Sequence, residues 1–196
     1  MAEERQHLLI DKLIRFVQTS IYHDTHKQPP TMDHCQTLAF GYGRCGHAAV
    51  LLHVLFKIFR IKSRIIGIGP GHWICEFYYD RAWRIADADY FKDEILKTST
   101  GEYLTLGEIR QTPDVLDRFT PAPTLLDQSS WMGGTTQELL DRYKKIMQGK
   151  VRRIYYNPKT GLTHTLRSFI LSKIGLRRIG NAENNHATYQ GQTSSD

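Results

Sequence analysis

A chain of 196 residues with 40% hydrophobic and 11% aromatic content has the make-up of a folded globular protein and can bury a core without disulfide or metal staples. Global disorder is excluded, and size demands no cofactor or metal, so none is expected. The net charge of +6 is unevenly spread: the stretch 142–178 carries eleven Lys and Arg and no Asp or Glu, a positive field that attracts acidic partners or simply forms a solvated basic face.

Residues 5–21 place Leu8, Leu9, Leu13, Phe16 and Val17 at helical spacing among charged side chains, which predicts an amphipathic packing helix. The polar stretch 23–31 ends in two prolines and reads as a loop. After Gly41 and Gly43, the residues Ala48, Leu51, Leu52, Leu55, Phe56 and Phe59 recur with a period of 3.6, so a central helix starts close to Cys45 and runs to about Phe59. Residues 61–68 are rich in isoleucine and read as a strand, broken by Gly69, Pro70 and Gly71. Two more strands are expected at 72–79 and 82–88, giving a helix followed by a meander.

Beyond Phe91 the pattern weakens, and Pro113, Pro121 and Pro123 mark connections with short helical pieces. Residues 129–134 resemble a linker. Thr135 followed by Glu138 is a capping-box signature for a helix over 136–147. A turn at 155–161, a basic helix at 165–178 and a polar tail complete the chain. The expected organisation is a core over 1–128, a basic helical extension over 129–178 and a disordered tail over 179–196.

No apolar run reaches the roughly 18 residues that span a bilayer, and the first ten residues open with charge rather than a signal-peptide stretch. A soluble, cytoplasmic protein is expected. Cys35, Cys45 and Cys75 are odd in number and widely spaced, which suits a reducing compartment and rules out paired Cys-x-x-Cys zinc knuckles.

The chemistry centres on Gly43-Arg44-Cys45-Gly46. A sulfur at the positive end of a helix dipole is stabilised as thiolate, and flanking glycines let a substrate carbonyl and oxyanion-binding amides come close. A lone cysteine at a helix start is also consistent with packing, because free Cys is among the most buried residue types. Cys35 falls in a polar loop, and Cys75 lies on the Trp73 and Phe77 side of its strand, where it is expected in the core.

The hairpin supplies partners. If the second and third strands close around a two-residue turn at Tyr79 and Asp80, opposed residues sum to 159 and His72 lies opposite Asp87, near enough for a carboxylate to accept a hydrogen bond from an imidazole. Such a carboxylate would fix the tautomer of the ring. The pairing depends on register, and Asp89, on the same face, is the fallback. Seven of the other eight histidines, His23, His26, His34, His47, His53, His164 and His186, show no metal-ligand spacing and are expected mostly at the surface or in caps.

The order Gly43-Arg44-Cys45-Gly46 before a helix, a strand, His72-Trp73-Ile74-Cys75-Glu76-Phe77-Tyr78, then Trp83 and Asp87 resembles the transglutaminase-like superfamily. The Gly-Arg-Cys-Gly run is also similar to that of peptide:N-glycanases, whose paired cysteines this chain lacks. The resemblance implies a papain-like α+β fold, with a nucleophile at the N-terminus of a core helix packed on an antiparallel sheet. It further implies Cys45 as nucleophile, His72 as base and Asp87 as the orienting acid, with Glu76 and Trp83 at accompanying positions.

The expected activity is acyl transfer from an amide or (thio)ester through a thioester intermediate, to water or to an amine. The alternative is a non-catalytic binding module of the same fold, acting through its basic segment. Expected partners are a peptide, amide or thioester substrate and an acidic protein such as an acyl carrier protein, with nucleic acid or an anionic membrane surface as further candidates for the basic stretch.

Overall fold

A computed structural model describes residues 2–24, 32–91, 93–126, 133–156, 170, 173 and 174. The expected loop before residue 32, the linker at 129–134, the turn at 155–161, the basic helix at 165–178 and the tail lie largely or wholly outside these residues. Contacts divide the chain into Met1–Thr160 and Gly161–Asp196, and the elements from Ala2 to Ile154 all fall in the first of these units.

Helix α1 (Ala2–Ser20) buries Ile10, Leu13, Ile14 and Val17. A two-residue strand β1 (Tyr22–His23) comes next, then helix α2 (His34–Phe40), strand β2 (Tyr42–Gly43) and helix α3 (Cys45–Ile58). Every residue from Gly46 to Phe56 is buried, so α3 is enclosed on all sides, and apart from His47 and His53 these buried residues are apolar, as a helix covered by other elements requires. Burial of each of its large aliphatic side chains contributes about 1.5–3 kcal/mol.

The main sheet comprises β3 (Ser63–Ile68), β4 (His72–Tyr79), β5 (Ala82–Ala86) and β6 (Val151–Ile154), in the order β5-β4-β3-β6 and antiparallel throughout. Successive side chains on a strand point to opposite faces, and both faces are covered. On one, Ala49 and Val50 of α3 pack with Ile65 and Trp73, and Phe56 meets Phe77 with ring centroids 5.3 Å apart. On the other, Ile66, Ile74 and Ile85 join Leu139, Leu140, Tyr143 and Met147 of a later helix, α6 (Thr136–Met147). Short helices α4 (Leu106–Gln111) and α5 (Pro123–Leu126) and a 3-10 turn at Pro113–Arg118 fill in around that second core.

Two features depart from the sequence-based expectations. The boundary at 129 does not separate an appendage, because α6 and β6 belong to the same unit as the core. Helix α6 starts where the Thr135 and Glu138 capping box predicts, yet its apolar face, Leu139, Leu140, Tyr143 and Met147, closes the core. Strand β6 extends the sheet by pairing with β3 from Ile65↔Ile154 to Ile68↔Val151.

The hairpin register also differs. The turn is made by Asp80 and Arg81, both at positive φ (46° and 59°), as a tight type I′ turn requires. Opposed residues therefore run from Tyr79↔Ala82 to Cys75↔Ala86, two positions from the predicted sum, and β5 stops at Ala86 rather than 88.

Candidate active site

Cys45 is the first residue of α3 and is half-buried. Its approach is fixed by the parallel pairing of β1 with β2, Tyr22↔Tyr42 and His23↔Gly43. The entry to the helix is secured by His47, whose Nδ1 accepts the Arg44 backbone N–H at 3.2 Å. The glycines act through close packing: a Cβ at Gly43 would stand 2.7 Å from the Cβ of His47, and one at Gly46 would stand 3.2 Å from the Trp73 ring. They let α3 seat against β2 and β4, which is a tighter constraint than substrate access alone.

His72 opens β4, directly after the Gly69-Pro70-Gly71 turn, and is buried. Its Nε2 lies 2.6 Å from Asp87 Oδ2. Asp87 reaches it by leaving the ladder: the chain turns after Ala86 and the carboxylate caps that turn, with Oδ1 accepting the N–H groups of Asp89 and Tyr90, each at 3.0 Å. Tyr143 of α6 donates its hydroxyl to Asp87 Oδ2 at 2.8 Å. Continued pairing in the observed register would have brought Asp89 opposite His72, so the end of the strand decides which carboxylate meets the ring.

Burial pulls the pKa of His72 down, but the charge and hydrogen bond of Asp87, with a hydrogen bond and charge from Cys45, more than reverse this and hold the imidazole well above 6.5. Burial alone would raise Asp87; the His72 charge and hydrogen bond and the two backbone N–H groups outweigh it and keep the carboxyl below its ordinary value. Tyr143 is pushed far up by burial and by Asp87, so its phenol stays a donor. Cys45 Sγ donates to the carbonyl of Gly71, the residue just before His72, at 3.9 Å, which places the thiol beside the imidazole that Asp87 orients.

Fallback residue Asp89 has a different partner. Both its oxygens contact Nδ1 of His23, at 2.8 and 2.9 Å. His23 is buried rather than superficial, which corrects the expectation for it. His34 and His53 are buried too, against the hydroxyls of Tyr156 and Ser63; burial, with Lys57 and Arg153, lowers His53 to about 4. His47 serves as a cap, and His26, His164 and His186 lie outside the described residues.

Cys35 sits on α2 rather than in a loop, and Cys75 is fully buried, its thiol pushed well up by burial and by Glu76. Glu76 pairs with Arg64, whose guanidinium lies 4.0 Å from the Trp83 ring centre, so these two positions form a cross-strand cluster on the sheet. Among the described residues, Asp33, His34 and Cys35 bring possible metal ligands within 4.8 Å of one another. Asp33 is already the N-cap of α2, accepting from Gln36 N–H at 2.9 Å.

Cys45 and His72 line a cavity of about 550 Å³, together with His23, Asp89, Arg44 and two cations of α6, Arg142 and Lys145. The basic stretch thus contributes to the cavity wall, which its charge count alone does not reveal. Another of its residues, Lys144, pairs with Asp114 and Asp117 on the 3-10 turn. No helix among the described residues is long and apolar enough to cross a membrane.

The chain was compared with known proteins. The model of the transglutaminase-like superfamily matches residues 4–88, a span that includes Cys45, His72 and Asp87. No curated protein and no solved structure matches the chain. The match falls on α1, α3 and the meander of β3, β4 and β5, so over residues 4–88 the chain is similar to the transglutaminase-like superfamily, in line with its α+β fold.

Proposed function

We propose that this protein is a cysteine-dependent acyltransferase or hydrolase acting on an amide or (thio)ester carbonyl, with Cys45, His72 and Asp87 in the roles of nucleophile, base and orienting acid. The observation that carries the reading is that Cys45 and His72 line one open cavity, with His72 Nε2 held by Asp87 at 2.6 Å.

With Nε2 held by Asp87, Nδ1 is the ring nitrogen left for the sulfur. His72 takes the thiol proton as Cys45 attacks the carbonyl carbon, and a C–S bond forms. The imidazolium then protonates the leaving amine, alcohol or thiol as the tetrahedral intermediate collapses to a thioester. Water or an acceptor amine, deprotonated by the same imidazole, attacks that thioester and frees Cys45.

Charge supports a class of donor. Arg44, Arg142 and Lys145 line the cavity, and the one carboxylate lining it among the described residues, Asp89, is bound to His23. An acyl group presented by an anionic carrier, such as an acidic acyl carrier protein, fits a wall of that sign.

The test is a pair of rates on the full chain. Iodoacetamide should alkylate Cys45 much faster than Cys35 or Cys75, and p-nitrophenyl acetate should release a burst of p-nitrophenolate that Cys45→Ala abolishes. Equal alkylation of the cysteines and no Cys45-dependent burst would leave a binding module of this fold as the function.

A further inference from the structure

A second imidazole stands at the same cavity with an unfilled valence. His23 is brought there by backbone pairing: β1 runs parallel to β2, His23 faces Gly43, and the N–H of Asp24 donates to the Gly43 carbonyl at 2.9 Å. Its position is therefore tied to the segment that leads into Cys45. Its Nδ1 is clamped between the two oxygens of Asp89. Its Nε2 is buried and has no hydrogen-bond partner among the described residues, although the ring lines the cavity that Cys45 and His72 also line. Buried polar atoms are nearly always paired, and one that is unpaired beside a reactive centre points to a missing partner.

We infer that His23 is a catalytic residue, whose Nε2–H, with the backbone N–H of Cys45, receives the oxygen of the tetrahedral intermediate formed at Cys45. This deepens the acyl-transfer reading above and rests on it. A backbone N–H at the first position of a helix has no intrahelical partner, so Cys45 offers one donor; His23 supplies the second, from the strand that pairs just ahead of the nucleophile.

The charge state is consistent with a donor. With Nδ1–H given to Asp89, Nε2 carries a hydrogen only in the imidazolium. Three groups act on His23 from the elements around it: Asp89 from the turn after β5, Arg44 from the residue before α3, and His72 from β4. Burial lowers its pKa most, but the Asp89 hydrogen bond and charge outweigh burial and the two cations, leaving it raised above 6.5. The thiol base is a separate group, His72, the cavity-lining imidazole that Asp87 orients.

In the step itself, the sulfur lone pair forms the S–C bond while the C=O π pair moves onto oxygen. The oxyanion accepts from the Cys45 N–H and His23 Nε2–H. On collapse that pair re-forms C=O, the bond to the leaving group breaks, and the leaving group takes its proton from His72. His23 keeps its proton throughout.

Two probes separate this role from any other. Acylation by p-nitrophenyl acetate passes through an oxyanion, whereas alkylation by iodoacetamide is a displacement at carbon and forms none. His23→Ala should slow acylation of Cys45 by about 10²–10³-fold, with alkylation close to wild type, and His23→Gln, which keeps a side-chain N–H, should recover part of the loss. Acylation and alkylation falling together would assign His23 to the thiolate instead, and no change in either would remove it from catalysis; both overturn the inference. Should the variants fail to fold, the wild-type protein answers: the ratio of acylation to alkylation cancels ionisation of the shared thiol, and p-nitrophenolate leaves without an acid. That ratio should fall with one proton as pH rises through the raised pKa of His23, and a flat ratio from about pH 6 to about pH 10 overturns the inference. If wild-type Cys45 is not acylated at all, the acyl-transfer reading fails first; if it is acylated with indifference to His23, only this inference fails.

Discussion

Two histidine–aspartate pairs meet at one cavity, and they differ in how fully their polar atoms are satisfied. Asp87 accepts from His72 Nε2, the Tyr143 hydroxyl and the N–H groups of Asp89 and Tyr90. Asp89 spends both oxygens on His23 Nδ1, and the far nitrogen of that ring has no partner among the described residues. A carboxylate held from every side is a fixed charge suited to orienting a neighbour, whereas an imidazole with a spare N–H is suited to receiving a ligand. The carboxylates are two residues apart, so residue type does not separate them. What separates them is where β5 ends, since the turn after Ala86 wraps its own N–H groups around Asp87.

The sharpest way to break this division is to neutralise each acid in turn. Asp87→Asn should cut Cys45-dependent turnover by roughly 10³–10⁴-fold, because an amide favours the wrong tautomer of His72. Asp89→Asn acts through His23 and should cost only about 10–10²-fold, confined to acylation rather than alkylation, since removing one oxyanion donor at most costs about 10²–10³-fold. Steady-state and burst kinetics on both variants check this, and equal losses would mean that the two pairs share one job.

Wall charge is a smaller contributor. Arg142→Glu with Lys145→Glu should slow acylation by an anionic acyl thioester about tenfold at low salt while leaving p-nitrophenyl acetate unaffected, and the difference should shrink as salt rises. An equal effect on both donors would remove the acidic-carrier proposal and leave the acyl-transfer reading in place.

Much of the fold is legible before any coordinates. The period-3.6 stripe after Gly43, the isoleucine-rich strand and the Gly-Pro-Gly break are local signals, and α3, β3 and β4 follow them closely. The proximity of His72 to Asp87 is legible too, but by an argument whose register is wrong: pairing around Asp80 and Arg81 would carry Asp89 to His72 had β5 continued. Only the capping turn at Asp87, which depends on backbone donors two and three residues on, restores the contact. His23 is not legible at all, because β1 and β2 are two residues each and owe their pairing to the tertiary fold rather than to any pattern. Val151–Ile154 is likewise too short and too charged to announce an edge strand, so the basic stretch reads as an appendage when part of it completes the sheet.

Stability should report the same contrast through pH. Asp87 has a folded pKa below its ordinary 3.8, so its contribution is complete above the unfolded value and is lost as pH falls through the folded one. His72 is raised above 6.5, so its contribution is complete below that value and is lost as pH rises through the folded one. The pair therefore stabilises most between the two, and the wild-type advantage over Asp87→Asn in urea unfolding should shrink as pH falls below about 4. An advantage independent of pH in that range would mean that Asp87 is not held as a charged acceptor.

The smallest effect expected is also the most specific to this architecture, because it concerns Tyr143, which belongs to the basic stretch yet touches the orienting acid. Its hydroxyl donates to the same oxygen, Oδ2, that His72 holds, and its ring packs 5.7 Å from the imidazole and 4.3 Å from Tyr90. Tyr143→Phe keeps that packing and removes one hydrogen bond to a buried charge, which should cost about 2 kcal/mol of stability. Asp87 retains its two backbone donors and His72, so the ring should stay oriented and turnover should fall by about tenfold at most, with alkylation of Cys45 little changed. Tyr143→Ala opens a cavity in the second core and should cost about 3–5 kcal/mol, as large aromatic truncations do. If Tyr143→Phe instead lost as much turnover as Asp87→Asn, the backbone turn would not be what holds the carboxylate, and α6 would be the element that sets the geometry of the pair.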